Sequence, residues 1–296
     1  TWATAWEPAS ATAKSEVSRN SSVQVSQASA PAPKSWRRMV SRATVFWHFN
    51  DKASLFTSYA KNLSVPGTDA LYGALYFDED SSSGQPKPET SDAFDLGFRY
   101  QSGIIQAQLS GWYTRYNNRL ASAYDADCDC TVTRNLGRVD KYGIDGSVAV
   151  RPVKDLMFYV FGSYLKSEIK DDVQTSATAY AETAGKREAG APTYTFGGRI
   201  QGTLGPVDLG LQVKRTGERY VNDINTVKLP GYTLVDLDAR FSLAQFGLEK
   251  TFFQLNVTNL FDKVYIGYSG TSLTGTSGTA YLGAPRAISG SMVVAF

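Results

Sequence analysis

The sequence predicts an all-β protein, namely an antiparallel portion of a transmembrane β-barrel with short turns on one side and long loops on the other. Three observations predict this fold. Apolar and polar residues alternate in successive segments, the connections alternate between short and long to the end of the chain, and the last strand ends on Phe296 without a polar tail. A strand that crosses lipid needs only about 9–11 residues, and half of them face away from the lipid.

Composition agrees with a barrel. The 296 residues contain no run of 18 apolar residues and therefore no membrane-spanning helix, but they include 17 Tyr, 15 Phe and 26 Gly. Aromatic residues band the two interfaces of outer-membrane barrels, and glycine relieves crowding at bends. The net charge of +2 comes without a basic stripe, so we predict no nucleic-acid partner.

The closing segment shows the alternation clearly. Ile288, Met292 and Val294 share one face with Phe296, whereas the serines between them share the other face. The outer face of such a strand can be dissolved in hydrocarbon rather than packed on a core. We therefore expect the apolar face of this strand to lie against lipid.

Residues 1–41 differ in kind from the rest. Ala, Ser, Thr and Pro dominate there, and such a segment buries too little apolar area to offset its chain entropy. We predict a low-complexity extracellular loop or linker, with a further strand near 1–6 or 23–27 as the alternative. From residue 42 onward the sequence predicts eleven strands, at 42–50, 54–61, 91–101, 104–116, 137–151, 156–169, 193–204, 207–216, 232–243, 251–260 and 285–296.

The order of the connections predicts an orientation. Outer-membrane barrels have short periplasmic turns and long extracellular loops, so the long last connection makes the final strand descend towards the periplasm. With eleven strands the first strand also descends, which leaves residues 1–41 outside the cell. Because complete bacterial barrels have an even number of strands, the odd number predicts that preceding strands are missing, unless a twelfth lies within 1–41.

Five motifs resemble TonB-dependent outer-membrane receptors. They are KPETSDAFDLGFRY at 87–100, WYTRYNNRL at 112–120, RNLGRVDKYGID at 134–145, LNVTNLFDKVY at 255–265, and GAPR at 283–286 before the terminal strand. The resemblance covers residues 42–296, and the last two motifs together are specific. One departure is the stretch Ser64-Val65-Pro66-Gly67, which matches only weakly the aromatic-x-Ala-Pro turn that members often carry.

The resemblance implies that residues 42–296 are the C-terminal part of a barrel of about 22 strands, without its plug domain and TonB box. It implies an outer-membrane location in a Gram-negative bacterium, with membrane lipid, the TonB–ExbB–ExbD complex and the barrel assembly machinery as partners. Phe296 resembles the signal that this machinery recognises. The implied activity is energised uptake of a ferric siderophore, or of haem, cobalamin or a glycan, by a transport protein rather than an enzyme.

Ligand contacts of such a receptor should come from long loops and the upper lumen, where aromatic and cationic side chains suit anionic iron chelates. We predict ligand-binding residues among Tyr72, Tyr76, Tyr124, Arg134, Tyr180, Arg187, Arg219 and Tyr220. Each could also be an ordinary loop or girdle residue. The sequence does not identify the transported ligand.

No catalytic residue, cofactor or metal site is predicted. His48 is the single histidine and lies in a strand, where a lumen or rim position is the ordinary interpretation. The acidic loop that begins at Asp125 has the spacing of a calcium loop but lacks its turn glycine and distal glutamate. Cys128 and Cys130 could form a strained disulfide or stay as free thiols.

Two rival functions remain open at this stage. One is a complete small outer-membrane barrel, either a porin or a barrel enzyme, and the other is a soluble β-sandwich binding module. The odd strand number and the NLFDKVY motif oppose the first. The sorting of connections by length opposes the second, because a sandwich has no reason to sort them.

Overall fold

The computed structural model describes residues 22–28, 40–64, 88–125, 130–174, 179–276 and 279–294. These residues form β-strands joined by turns, with a 3₁₀ turn at Ala244–Phe246. Within these ranges, no helix is long and apolar enough to cross a membrane. The strands are β1 (Ser22–Ala28), β2 (Val40–Asn50), β3 (Ala53–Ser64), β4 (Glu89–Gln101), β5 (Ile105–Asn117), β6 (Leu120–Asp125), β7 (Cys130–Asn135), β8 (Val139–Val153), β9 (Leu156–Ile169), β10 (Val173–Gln174), β11 (Tyr180–Ala181), β12 (Tyr194–Leu204), β13 (Val207–Thr216), β14 (Arg219–Tyr220), β15 (Lys228–Leu229), β16 (Tyr232–Ser242), β17 (Phe252–Thr258), β18 (Ile266–Ser269), β19 (Ala280–Leu282) and β20 (Ala287–Val293).

Twelve of these strands form one antiparallel sheet, in the order β1-β2-β3-β4-β5-β8-β9-β12-β13-β16-β17-β20. Each strand after β1 therefore pairs with the strand of this sheet that precedes it in the chain. All eleven strands predicted from residue 42 onward are present, with ends that differ by a few residues. The all-β antiparallel prediction is confirmed.

Within residues 1–41, the structure gives the alternative of a further strand near 23–27, in place of a loop or linker, at β1. Ser22–Ala28 pairs antiparallel with β2, with Val23 opposite Val45 and Val25 opposite Ala43. The short run Ser-Val-Gln-Val-Ser alternates with period two and contains β-branched valines, which suffices for a strand that pairs along the edge of β2. The main sheet of the described residues therefore has twelve strands and not the predicted eleven, so the argument from an odd strand number does not hold.

The two faces of the sheet differ in chemistry. Because residues directly opposite each other on paired strands share a face, the register places Leu96, Ile144 and Val160 on one face together with most of the other large apolar residues of the strands. These three side chains are 55%, 55% and 61% exposed. We call this face the outer face. The opposite, inner face carries polar side chains such as Asp95 and Arg199.

The long connections contain short hairpins that the sequence analysis does not predict. They are β6–β7, β10–β11, β14–β15 and β18–β19, and each forms a separate two-stranded sheet. All four lie at the same end of the main sheet, since they follow β5, β9, β13 and β17, whose C-terminal ends point in one direction.

The buried apolar residues among the described part of the chain gather at this loop end, not within the sheet. The cluster consists of Leu136, Val139, Ile169, Val173, Ala181 and Leu273, with Tyr116 and Ile224 packed against it. Its members come from the ends of three sheet strands and from the long connections. The loops therefore have a small core of their own.

Candidate functional site

The long connections are joined to one another, and we call their described residues in 118–138, 170–193, 217–231 and 259–286 the loop platform. Asn222 is fully buried at its centre. Its side-chain nitrogen donates to Thr226 Oγ1 at 2.7 Å and to the Gly275 carbonyl at 3.1 Å, and its oxygen accepts from the Thr226 amide at 2.9 Å. The next residue, Asp223, accepts from the Ala189 amide at 2.8 Å. Three connections thus share one hydrogen-bonded network.

A group of charged residues ties the platform to the rim of the inner face. Arg119 Nη1 lies 3.0 Å from Glu89 Oε2, and Arg119 Nη2 lies 3.0 Å from Glu188 Oε1. Lys141 Nζ lies 2.7 Å from the other oxygen of Glu188. Both cations stand over the ring of Tyr116, at 4.7 and 5.2 Å from its centroid. We call Glu89, Arg119, Lys141 and Glu188 the rim clasp.

The electrostatics of the rim clasp keep its loop residues charged. Burial alone would raise the pKa of Glu188, but the Lys141 ammonium and the Arg119 guanidinium outweigh it and hold that pKa below its ordinary value. Burial alone would lower the pKa of Arg119, but the Glu188 and Glu89 carboxylates outweigh burial and raise that pKa above its ordinary value. The clasp is therefore a compensated ionic network and not a vacant anion site.

The NLFDKVY motif forms a tight turn that ties β17 to the start of β20. Asn259 has φ of 52°, and its side chain donates to the Lys263 carbonyl at 3.0 Å and to the Ala284 carbonyl at 3.1 Å. Asp262, with φ of 51°, accepts from the Arg286 amide at 2.8 Å. Asn and Asp tolerate this left-handed backbone because their short side chains bond locally. The motif therefore has a structural role at the base of the platform.

The inner face below the platform is polar and mostly paired. Arg199 makes a two-pronged ion pair with Asp238, with nitrogen–oxygen distances of 2.7 and 2.9 Å. Trp112 Nε1 donates to Asp145 Oδ2 at 2.7 Å, beside a shallow cavity of about 260 Å³ that Tyr159 also lines. His48 lies on this face of β2, opposite Ser54. Such a wall suits contact with water or protein rather than with lipid.

Two of the predicted ligand-binding cations are engaged within the protein. Arg187 donates to Thr193 Oγ1 at 2.6 Å and to the Leu165 carbonyl at 2.7 Å. Arg219 is buried and donates to the Ile266 carbonyl at 3.0 Å. Their guanidinium groups hold the platform together, because each bonds a main-chain oxygen of a neighbouring element.

The other predicted contacts are dispersed. Tyr180 is exposed in β11, and Tyr220 in β14 lies under the Lys228 ammonium at 5.3 Å. Tyr124 and Arg134 are on the paired strands β6 and β7, opposite Thr131 and Ala121. The described members of the set thus lie on three hairpins and, for Arg187, on the connection that follows β11. Tyr72, Tyr76, Phe296 and Cys128 lie outside the described residues, as does the centre of the acidic loop after Asp125.

Sequence reasoning missed two features of the platform. One is the rim clasp, whose residues are far apart in the chain. The other is the exposed pair Tyr268 and Tyr281 on the β18–β19 hairpin, whose rings are 5.9 Å apart. The aromatic residues on both sides of the Gly/Ser/Thr-rich loop are a signal that could have indicated this hairpin. Within the described ranges, no group of three or more His, Cys, Asp or Glu residues is placed to hold a metal ion.

A family model described as TonB dependent receptor-like, beta-barrel, matches residues 13–260. Among curated proteins, the ferrioxamine receptor of Yersinia enterocolitica is 26% identical over 226 residues, which are 74% of this chain and 30% of that protein. The ferrioxamine B receptor of Salmonella typhimurium (strain SL1344) is 25% identical over 265 residues, which are 86% and 34%. The chain thus spans about a third of the length of these curated relatives.

Solved structures agree on the fold. The ferric enterobactin receptor PfeA of Pseudomonas aeruginosa (G324V mutant) matches with a TM-score of 0.65 at 16% identity, over 88% of this chain and 40% of that one. The copper transporter OprC matches with a TM-score of 0.64 at 14% identity, over 84% and 38%. The barrel prediction is therefore confirmed. The family and the curated relatives are transport receptors and not enzymes.

Proposed function

Because this chain belongs to the TonB-dependent receptor family, we propose that the protein takes up a ferric siderophore across the outer membrane with energy delivered through TonB. The family match over residues 13–260 is the observation that carries this proposal. Under it, the twelve-stranded sheet crosses the outer membrane, the loop platform faces the outside of the cell, and the short turns face the periplasm. Membrane lipid, the TonB–ExbB–ExbD complex and the barrel assembly machinery are the proposed partners.

The two faces of the sheet support the membrane placement. Large apolar side chains are exposed on the outer face over many strands, which in water would be a strong liability for aggregation. In lipid the same surface is favourable, since only the backbone needs internal hydrogen bonds and the strand ladder supplies them. The polar inner wall suits a lumen that holds water or protein.

The proposed cargo rests on the curated relatives rather than on the fold. They are receptors for ferrioxamine, and a further curated relative is the ferric aerobactin receptor of Escherichia coli, 22% identical over 253 residues. The structural match to a copper transporter illustrates that this barrel fold is compatible with other cargoes. We propose that the siderophore first binds at the platform, where the exposed side chains of Tyr180, Tyr268 and Tyr281 contact it.

Uptake of iron labelled with ⁵⁵Fe tests the proposal. The protein is expressed from its own gene in a siderophore-receptor-deficient bacterium and supplied with ferric ferrioxamine B, ferric aerobactin or ferric enterobactin in turn. We expect uptake of at least one of these chelates, and we expect its loss when TonB is disrupted. Equal uptake with and without TonB would contradict the energised mechanism, and no uptake of any chelate would contradict the cargo.

A further inference from the structure

The shallow cavity of about 260 Å³ on the inner face is elongated along β9. Successive positions of one strand on the same face are about 6.6–6.8 Å apart. Ser163, Phe161 and Tyr159 are three such positions, and the register places Asp145 of β8 opposite Ser163. All four residues line the cavity, which therefore has a carboxylate at one end and aromatic rings along the rest. The other polar side chains of its lining are Gln108, Ser147 and Thr195.

Two glycines on neighbouring strands keep this cavity open. The Trp112 ring lies over Gly143, where an added Cβ would be 2.7 Å from ring atom Cζ2, and the Phe161 ring lies over Gly197, where it would be 2.7 Å from Cζ. Both rings lean onto the next strand for this reason. Trp112 Nε1 also donates to Asp145 Oδ2 at 2.7 Å. The lean of the Trp112 ring consequently fixes the carboxylate at the end of the cavity.

The cavity carries negative charge. Asp145 is the one charged side chain among the described residues that line it. Two neighbouring cations of the inner face are directed elsewhere, since Arg199 makes its two-pronged ion pair with Asp238 and Arg99 lies over the Phe56 ring at 4.7 Å. A carboxylate has about four acceptor sites, and among the described side chains a single donor occupies one of them at Asp145. The cavity can therefore accept a further cationic donor.

We propose that this cavity binds an aminoalkyl arm of the iron chelate, so that the protein selects chelates that carry a protonated primary amine. The ammonium donates to the Asp145 carboxylate and to the Ser163 hydroxyl, and the methylene groups of the arm lie along the Phe161 and Tyr159 rings. An ammonium has three donors, and aromatic faces attract cations and pack against methylene groups. The inference rests on the proposed function, because it names the class of ferric chelate that is taken up.

Binding of chelates labelled with ⁵⁵Fe tests the inference in receptor-deficient cells that express the protein but lack TonB, so that energised uptake does not contribute. The two probes are ferric ferrioxamine B, which has a free primary amine on an alkyl arm, and its N-acetyl derivative, in which that nitrogen is neutral. We expect the unchanged protein to bind the amine form about tenfold more tightly, because acetylation removes a charge-assisted hydrogen bond.

The two probes also separate this inference from the proposed function. Equal affinity of the unchanged protein for both chelates would overturn the amine site and leave the proposed cargo intact. Absence of binding by either chelate would overturn the proposed cargo and the amine site together.

The decisive variant is Asp145→Asn, which keeps an oxygen for Trp112 and removes the charge. We expect this variant to bind both probes equally, with the affinity that the unchanged protein has for the N-acetyl derivative. Asp208→Asn is the matched control, because Asp208 is an inner-face carboxylate outside the cavity that accepts from Thr203 Oγ1 at 2.7 Å. The control should keep the preference for the amine. A preference retained by Asp145→Asn, or lost equally in Asp208→Asn, would overturn the site.

The amount of each variant in the outer-membrane fraction shows whether it assembles. If Asp145→Asn does not assemble, Ser147→Arg replaces it, because Ser147 lines the same cavity and the introduced guanidinium supplies a competing cation there. We expect this variant to lose the preference for the amine form. Full preference in Ser147→Arg would then count against the site.

Discussion

The twelve-stranded sheet, which we call the wall, exposes large apolar side chains, whereas the loop platform buries them. In the wall, the apolar side chains of Leu96, Ile144 and Val160 are more than half exposed. In the platform, Leu136 and Leu273 are almost completely buried, and so is the polar side chain of Asn222. The platform follows the ordinary rule for a protein in water, whereas the wall reverses it. The difference supports the proposed placement of the wall in lipid and of the platform in water.

The two regions also differ in how their polar groups are satisfied. In the wall, polar partners lie at nearby register positions, as with Arg199 of β12 and Asp238 of β16, which meet over Gly210 of the intervening β13. In the platform, partners are distant in the chain, as with Arg119 and Glu188. The wall is consequently fixed by strand register, and the platform is fixed by a few buried side chains that bridge separate loops.

The largest effect is expected for a charge on the lipid-facing side of the wall. Val148→Arg places a cation in the middle of the outer face of β8, and such a residue at the bilayer midplane costs up to about 4 kcal/mol. We expect little or no folded protein in the outer membrane. The neighbouring Ser147→Arg, on the inner face, is the matched control and should assemble. Equal yields of the two variants would contradict the assignment of the faces.

The next effect concerns the platform alone. Glu188→Ala leaves Arg119 and Lys141 partly buried without their shared carboxylate, which destabilises the local structure by about 3 kcal/mol. We expect faster hydrogen exchange at the Gly185 and Gly190 amides, which are bonded to the Ile169 and Tyr220 carbonyls. Glu218→Ala is the control, because its pair with Lys228 is half exposed and contributes below about 1 kcal/mol. Amide hydrogen exchange in the wall should not change. A change there would contradict the separation of the two regions, because it would show that they are energetically coupled.

A smaller effect is expected from pH. The pKa of Glu188 is lower in the folded protein than its ordinary value, so the carboxylate contributes stability above the ordinary glutamate pKa of about 4.3. This contribution is lost as the pH falls through the lowered folded-state pKa. We expect the platform amides to exchange faster, relative to the intrinsic rate, below about pH 4. The Glu188→Gln variant should lack this dependence; if it keeps it, another group is responsible.

The sequence predicts the wall well because its signal is local. Alternation of period two, as at Phe94, Leu96 and Phe98, specifies both a strand and its faces. Strand β1 is the exception, since residues 22–28 are embedded in a segment whose composition resembles a linker. Strand β1 forms by pairing with the edge of β2, and the amino-acid composition of the segment does not show that such an edge is available.

The platform is harder to predict because its contacts are not local. The spacing between Arg119 and Glu188 has no sequence signature, and neither have the bonds that Arg187 and Arg219, both predicted as ligand contacts, make to main-chain carbonyls. Residue type alone indicates loop chemistry but cannot separate a side chain that holds a loop from one that faces a ligand. The NLFDKVY motif is the opposite case, because its contacts are mostly local. Its Asn259 is recognisable in the sequence as part of the family motif, and its side chain stabilises a turn.

The central claim is that the outer face of the wall lies in lipid. The most direct test places single nitroxide labels along β8 from residue 142 to residue 150, in protein lacking its two native cysteines and reconstituted in bilayers. Electron paramagnetic resonance then compares accessibility to oxygen, which dissolves in lipid, with accessibility to a water-soluble nickel chelate. We predict a period of two, with oxygen favoured at the even-numbered positions from 142 to 150 and the chelate favoured at the odd-numbered positions from 143 to 149. Absence of the alternation, or its reverse, would contradict the account.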